Sequence, residues 1–201
     1  LGEPGPARAV ADWTLENRRR EPTASDRVED AAAESGGGNG SEQTTGALTD
    51  GPADGPGLCR EPLWPLESNV EAADALLDLS LLTGESRYGE AAAGIAAAFG
   101  NAAERMGVEV AGYATAVARL RSPVAVEVGA PAGSDLHRAA LRLADHEAVV
   151  VPAADRDGSH RTGAFGSADP PAGGTAQRRV DGAVTGRATE PSELEELLTG
   201  E

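Results

Sequence analysis

The sequence predicts an α-rich mixed α/β protein in which helical hairpins are followed by a small β-α-β segment. Between residues 66 and 120, apolar residues recur at the three- and four-residue spacing of amphipathic helices. After Pro123 the period changes, because VAVEV at 124–128 alternates with a period of two and is rich in β-branched residues. EAVVVP at 147–152 is a second predicted strand. The change of period therefore places the helices before the strands.

The helical part begins with two predicted helices joined by a tight turn at 83–85. Ser68 or Asn69 is the expected N-cap of the first helix, since its side-chain oxygen can accept a hydrogen bond from the first helical turn. Ser86 is expected to cap the second helix, and a third covers about 108–120. The joints are short and the interior residues are small. We therefore expect close helix packing, as in arrays of α-hairpins or in toroids.

The strands at 124–128 and 147–152 flank a predicted helix that Ser134 caps. This order favours parallel pairing, because the helix carries the chain back to the start of the neighbouring strand. Residues 153–178 are rich in Gly, Pro, Ser and Asp, and we predict a mobile loop there. A last helix is predicted in PSELEELLTG, with Pro191 in its first turn.

Residues 1–46 form a low-complexity region that we expect to be flexible. After a short predicted helix from Ala7 to Arg20, Gly, Ser and acidic residues replace the apolar groups that could offset the entropy of chain ordering. We divide the chain into this region, a helical toroid-end segment at 47–122 and an α/β segment at 123–201. Because the chain begins with Leu1 rather than Met, we expect a fragment or a processed product.

The charge balance indicates the environment and the classes of partner. All 17 basic residues are arginine, and 33 acidic residues give a formal net charge of −16. Such a surface repels phosphates and anionic lipids, so we expect neither nucleic acid nor membrane as a partner. Concentrated salt screens this self-repulsion, and we predict halophilic adaptation, with high-GC codon usage as the alternative explanation. No apolar run is long enough to cross a bilayer, which favours a cytoplasmic location.

No constellation of residues predicts a catalytic centre, a cofactor site or a metal site. The loop at 129–134 precedes a helix N-terminus, but it matches neither phosphate-binding fingerprint, and Asp135 would repel an anion, so we favour a plain turn. His137 and His146 lack the spacing of a helical metal pair. The single cysteine, Cys59, excludes an internal disulfide and is either an inert thiol or, beside an arginine, a reactive one.

Three stretches carry a family resemblance: DGPGLCREPLWPLESNVEAADALLDLSLLTGESRYGEAA, MGVEVAGYATAVARLRSPVAVEV and GSDLHRAALRLADHEAVVVP. The helix-turn-helix pattern that starts at Asn69 is the most specific. On these residues, the chain from about Asp54 to Glu201 resembles the C-terminal end of thioredoxin-domain-containing proteins similar to spermatogenesis-associated protein 20, in the form found in halophilic archaea. The chain departs from that family in having no CxxC motif and no cysteine in VDGAVTGRATEPSELEELL, the stretch that leads into and includes its last helix.

In that family, a thioredoxin-like domain precedes an (α/α)6 toroid that is similar to sugar epimerases and six-hairpin glycosidases. The resemblance implies that this chain holds the last helices of such a toroid and an appended α/β segment, with a structural or ligand-binding role and no complete active site. An upstream thioredoxin-like domain or a small carbohydrate-like ligand is the implied partner. If a toroid cleft exists, the candidates for its lining are Trp64, Glu67, Asn69 and Tyr113.

Two other functions are kept as alternatives. The first is a carbohydrate-active enzyme of the epimerase or glycosidase type, with acidic residues in the toroid cleft. The second is a protein-interaction module that uses the acidic N-terminal region. Trp64 lies between two prolines, and it is either a packed anchor for its loop or an exposed platform on which a ligand stacks.

Overall fold

The computed structural model describes residues 5–19, 46–52, 63–100, 110–152 and 171–199. Within these residues the chain forms six helices and one four-stranded sheet, which confirms the predicted helix-rich mixed α/β class. Nearly all of the predicted flexible segment at 21–46 lies outside the described residues, as does most of the predicted loop at 153–178. The predicted division into 1–46, 47–122 and 123–201 stays a prediction.

The helices are α1 (Gly5–Arg18), α2 (Leu66–Thr83), α3 (Ser86–Ala98), α4 (Ala111–Arg121), α5 (Asp135–Leu143) and α6 (Pro191–Thr199). The strands are β1 (Val124–Val128), β2 (Ala148–Pro152), β3 (Ala176–Val180) and β4 (Ala183–Ala188). Among the described residues, no helix has the length and apolar character needed to span a membrane.

Contacts divide the chain into two compact units. The helical unit is drawn from Gly5–Leu76 and Glu90–Val117. The sheet unit is drawn mainly from Leu77–Gly89 and Ala118–Glu201. Helices α2 and α3 each contribute to both units, because the boundaries at residues 76 and 89 fall within them.

Small side chains form much of the interior of the helical unit. Its buried apolar residues are Ala47, Leu48, Ala73, Leu76, Ala91, Ala92, Ile95, Ala98, Val110 and Ala116. Gly46 has a positive φ of 97° and lies so near the backbone of Gly94 that a Cβ would stand 3.0 Å from the Gly94 carbonyl oxygen. Alanine and glycine thus allow the segment at 46–50 and helix α3 to approach closely, as the small interior residues predicted.

The predicted turn between α2 and α3 is present. Gly84 has a positive φ of 76° and donates its N–H to the carbonyl oxygen of Ser80, as a glycine after a helix C-terminus does. The predicted N-cap of α2 is wrong, because the helix begins at Leu66 and Asn69 lies buried inside its first turn. Asn69 instead bonds to a segment distant in sequence, which a local capping rule does not consider.

The sheet has the strand order β2-β1-β3-β4. β1 and β2 are parallel, with Val124 opposite Ala148, and helix α5 connects them, which confirms the predicted β-α-β unit. The predicted cap of α5 is also confirmed, since the Ser134 hydroxyl accepts a hydrogen bond from the N–H of His137. The last helix begins at Pro191, as predicted.

The hairpin of β3 and β4 was not predicted. β3 pairs antiparallel with β1 on one side and with β4 on the other, so the sheet is mixed. The predicted mobile loop is wrong at its end, because β3 already begins at Ala176. Asp181 and Gly182, which join the two strands, both have positive φ, the conformation that a two-residue hairpin turn requires.

The two faces of the sheet carry different side chains. Helices α5 and α6 cover one face, where an apolar cluster consists of Val126, Val128, Leu136, Ala139, Ala140, Ala176, Ala188 and Leu194. On the other face, Leu77 and Leu81 pack with Ala125, Val149 and Val151. The chain leaves β1 at Gly129, where a Cβ would collide with the carbonyl oxygen of Ala172. Gly129 also exchanges backbone hydrogen bonds with this neighbouring segment, donating to Thr175 and accepting from Gly174.

Candidate functional site

Asn69, one of the four predicted cleft residues, is only 1% exposed in the helical unit. Its Oδ1 accepts a hydrogen bond from the N–H of Leu48 at 2.6 Å, and its Nδ2 donates to the carbonyl oxygens of Leu48 and Pro65, both at 2.9 Å. Both amide N–H donors and the amide oxygen are therefore satisfied by backbone groups. Asn69 fastens the segment around residue 48 to the start of α2.

Tyr113, the second of these residues, joins α4 to α3. Its hydroxyl donates a hydrogen bond to the carbonyl oxygen of Ala96 at 2.8 Å. Desolvation by burial raises the pKa of Tyr113 above its ordinary value of 10.0. The neutral phenol is thus kept as a hydrogen-bond donor, and its polar atom, like those of Asn69, is engaged by the backbone.

Asn69 and Tyr113 border the same small cavity. Its volume is about 10 Å³, and its other lining residues are Val70, Ala73, Ile95, Ala96, Phe99 and Ala116. A cavity of this size holds about one water molecule, whereas pockets for small-molecule ligands occupy about 300–1,000 Å³. The described residues thus bring two of the four predicted lining residues together, around a space too small for a sugar.

Trp64 and Glu67 do not line this cavity. Trp64 is half-buried just before α2. Glu67 is exposed in the first turn of α2, where a carboxylate interacts favourably with the positive end of the helix dipole. Their positions suit the beginning of a helix, and their predicted role as cleft lining stays a prediction.

A buried polar cluster on the sheet was missed by the sequence reasoning. One oxygen of Glu127 on β1, Oε2, accepts hydrogen bonds from Gln177 Nε2 at 2.7 Å and from Arg179 Nε at 2.8 Å, both on β3. Arg179 also donates from Nη1 to the carbonyl oxygen of Gly182 at 2.9 Å. All three side chains are buried, so their charges and dipoles satisfy one another inside the protein.

This cluster connects the β3–β4 turn to β1. Gln177 and Arg179 are two residues apart and therefore lie on one face of β3, and the register places Gln177 directly opposite Glu127. The Asp-Gly pair at 181–182 is the sequence signal that could have revealed the hairpin, and hence this spacing. The geometry fixes strand register, since a shift of β3 by one residue would turn Gln177 and Arg179 to the face opposite Glu127.

The loop between β1 and α5 is held by its own backbone and by one histidine. Gly133 has a positive φ of 82° and donates its N–H to Nδ1 of His137 at 3.0 Å. The N–H of Ser134 bonds to the carbonyl oxygen of Pro131 at 3.0 Å. The side chain of His137 thus folds back towards the residue before the N-cap.

The other residues considered for chemistry are dispersed. Among the described residues, no group of three or more His, Cys, Asp or Glu side chains is arranged to hold a metal ion. His146 is exposed beyond the end of α5. Cys59 lies outside the described residues.

Comparison of the chain with protein-family models, with curated proteins and with solved structures finds no match.

Proposed function

We propose that this chain is a non-catalytic helical and α/β segment of a thioredoxin-domain-containing protein, with a role in packing and in binding its neighbouring domain. The bonding of Asn69 carries this proposal. Asn69 opens the sequence pattern on which the family resemblance rests, and its whole amide group is bound to the backbone at Leu48 and Pro65. Because the polar atoms of its side chain are bound to the backbone, Asn69 is better suited to an architectural role than to contact with a substrate.

Tyr113 supports the same role. Its hydroxyl is bound to Ala96, and the space beside it has the volume of about one water molecule. In the toroid that the resemblance implies, such tight, alanine-lined contacts would join successive hairpins.

The charge supports a proposal about the environment. With a net charge of −16 and no lysine, the chain is suited to cytoplasm that contains concentrated salt. The Debye length falls from about 10 Å at 0.1 M to about 3 Å at 1 M salt, so neighbouring carboxylates repel one another far less.

The test is thermal unfolding of the chain in concentrated KCl with two kinds of addition. A thioredoxin-like domain from a halophilic archaeal member of the family, supplied as a separate chain, is expected to raise Tm saturably. A panel of mono- and disaccharides is expected to leave Tm unchanged. A ligand present at 100 times its Kd stabilises by about 2.7 kcal/mol, which Tm reports clearly. Saturable stabilisation by a sugar, with none by the thioredoxin-like domain, would reverse the proposal in favour of the carbohydrate-active alternative.

The exposed residues of α1 favour a protein-interaction module as the second candidate. Val10 is 67% exposed and Trp13 is 53% exposed, and they lie three residues apart on one side of the helix. Tryptophan is enriched among the interface residues that contribute most of the binding energy. For this candidate, a partner that co-purifies with the full chain would be lost on deleting residues 1–46 and on the single change Trp13→Ala. Retention of the partner by both variants would rule out the protein-interaction module.

A further inference from the structure

His137 is a buried imidazole whose two nitrogens have different surroundings. The residue is 2% exposed, and its Nδ1 accepts a hydrogen bond from Gly133 N–H at 3.0 Å. Within the described part of the chain, its Nε2 is buried and makes no hydrogen bond. A neutral imidazole whose Nδ1 is an acceptor carries its single hydrogen on Nε2. The observed contact therefore requires the neutral ring in that tautomer.

Protonation is incompatible with this contact. The charged ring carries hydrogens on both nitrogens, so Nδ1–H would point at the N–H of Gly133, donor against donor. The ring also lies in the first turn of α5, where the positive end of the helix dipole disfavours a cation. A charge on His137 thus removes one hydrogen bond and leaves two buried donors without acceptors.

The charged groups around α5 do not offset the cost of placing a charge on His137. β1 packs against α5 and carries Glu127, which lies on the other face of the sheet because Val126 and Val128 face α5. β2 carries no charged residue, and on α5 itself Asp135 is 93% exposed and paired with Arg138. The remaining charged residues on α5 and on α6, the other element packed against it, are exposed: Arg142, Glu193, Glu195 and Glu196.

Backbone contacts hold the two ends of the loop and the turn at 131–134. Gly129 exchanges two backbone hydrogen bonds with the segment at 174–175, and Ser134 is the N-cap of α5. Between these ends, Pro131, Ala132 and Gly133 are exposed, and the bond from Gly133 to His137 connects this stretch to a buried side chain. Ser134 also donates its N–H to the carbonyl oxygen of Pro131, and Ala130 packs against the apolar cluster. Loss of the bond to His137 therefore frees the N–H of Gly133 without opening the turn or the sheet.

We infer that His137 is a pH-sensitive latch: the neutral imidazole holds the N–H of Gly133 against the first turn of α5, and its protonation releases this N–H. This device is independent of the proposed function, since it involves only the loop and helix of the β-α-β unit. Gly133 lies in the loop that follows β1, at the carboxyl end of the two parallel strands.

The test is amide hydrogen exchange of the full chain in concentrated KCl, read by NMR as protection factors at about pH 8 and about pH 5. The protection factor of Gly133 is expected to fall about tenfold on acidification, the effect of losing one ordinary hydrogen bond. Gly129, bonded to Thr175, is expected to keep its protection and serves as the internal reference.

Two variants provide the matched comparison. His137→Asn places a side-chain oxygen near the position of Nδ1 without a group that titrates, so Gly133 should stay protected at both pH values. His146→Asn removes an exposed histidine and should respond to pH as the wild type does. An equal acid response of Gly133 in His137→Asn, or none in the wild type, would overturn the inference.

A direct measurement covers the case in which His137→Asn does not fold. The ¹⁵N shift of Nδ1 in the wild-type protein should change from that of an acceptor to that of a protonated nitrogen over the same pH range in which Gly133 loses protection. An Nδ1 that stays unprotonated while Gly133 loses protection would refute the latch.

Discussion

Replacing Asn69 tests whether this residue supports the architecture. In Asn69→Ala, the N–H and the carbonyl oxygen of Leu48 lose the partners that the amide provides, and Leu48 is 7% exposed. A buried polar group left without a partner costs about 1–3 kcal/mol, so two such groups cost about 2–6 kcal/mol. This is a large part of the total stability of a domain, which is about 5–15 kcal/mol.

Urea unfolding in concentrated KCl, followed by far-ultraviolet circular dichroism, measures this loss directly. Urea is chosen because it leaves the ionic strength unchanged. Glu67→Ala is the matched control, since Glu67 lies two residues away on the same helix and is exposed; we expect a change within about 0.5 kcal/mol. A loss below about 1 kcal/mol in Asn69→Ala, or one equal to that of Glu67→Ala, would refute the reasoning.

Asn69→Asp separates the donor bonds from the acceptor bond. The aspartate keeps an oxygen for the N–H of Leu48, but its second oxygen faces the carbonyl oxygens of Leu48 and Pro65, to which the asparagine donates. We therefore expect a loss of stability at least as large as that of the alanine variant at neutral pH. A nearly neutral effect of Asn69→Asp would mean that the two donor bonds contribute little.

Three further predictions concern charge. Glu127→Leu leaves the guanidinium of Arg179 buried without its carboxylate. We expect urea unfolding to show a loss of about 3–5 kcal/mol in the free energy of unfolding, larger than the loss in the double variant Glu127→Leu with Arg179→Met. An equal or greater loss in the double variant would contradict this expectation. Glu193 accepts hydrogen bonds from the backbone and hydroxyl of Thr189 and from the backbone of Glu190, which hold its pKa below 4.5. Because the folded-state pKa is the lower one, this stabilisation is present above pH 4.5 and is lost as the pH falls through the folded pKa, so the Tm difference between the wild type and Glu193→Ala should be widest near neutrality and shrink in acid. Finally, Tm should rise steeply with KCl because of the net charge of −16, whereas cooperative melting at a salt-independent Tm would argue against halophilic adaptation.

The elements that sequence reasoning predicted well are those determined by local chemistry. VAVEV and the run before Pro152 are β-branched, and Ser134 caps α5 with its own hydroxyl, so β1, α5 and β2 could be assigned from neighbouring residues alone. The glycine at position 84 likewise marks the turn after α2 through its positive φ.

The elements that were missed depend on distant partners. Residues 176–178 were included in the predicted loop at 153–178, whereas the structure places them in β3. The polar side chains of Gln177 and Arg179 are buried and donate hydrogen bonds to Glu127, which lies fifty residues before Gln177. The start of α2 was misplaced for a related reason, since Asn69 has the chemistry of a cap but bonds to Leu48, 21 residues away. In both segments a local sequence rule was applied to side chains whose hydrogen bonds are long-range.

The close approach at Gly129 has a consequence for recognising related chains. A Cβ at this position would meet the carbonyl oxygen of Ala172, a backbone atom that cannot rotate aside as a flexible side chain can. Sequences that diverge widely in their surface acids and loop lengths should still end β1 with glycine if they keep this sheet. An invariant glycine after a short β-branched strand, followed within a few residues by a capping serine, is therefore a signature with which distant homologues could be sought.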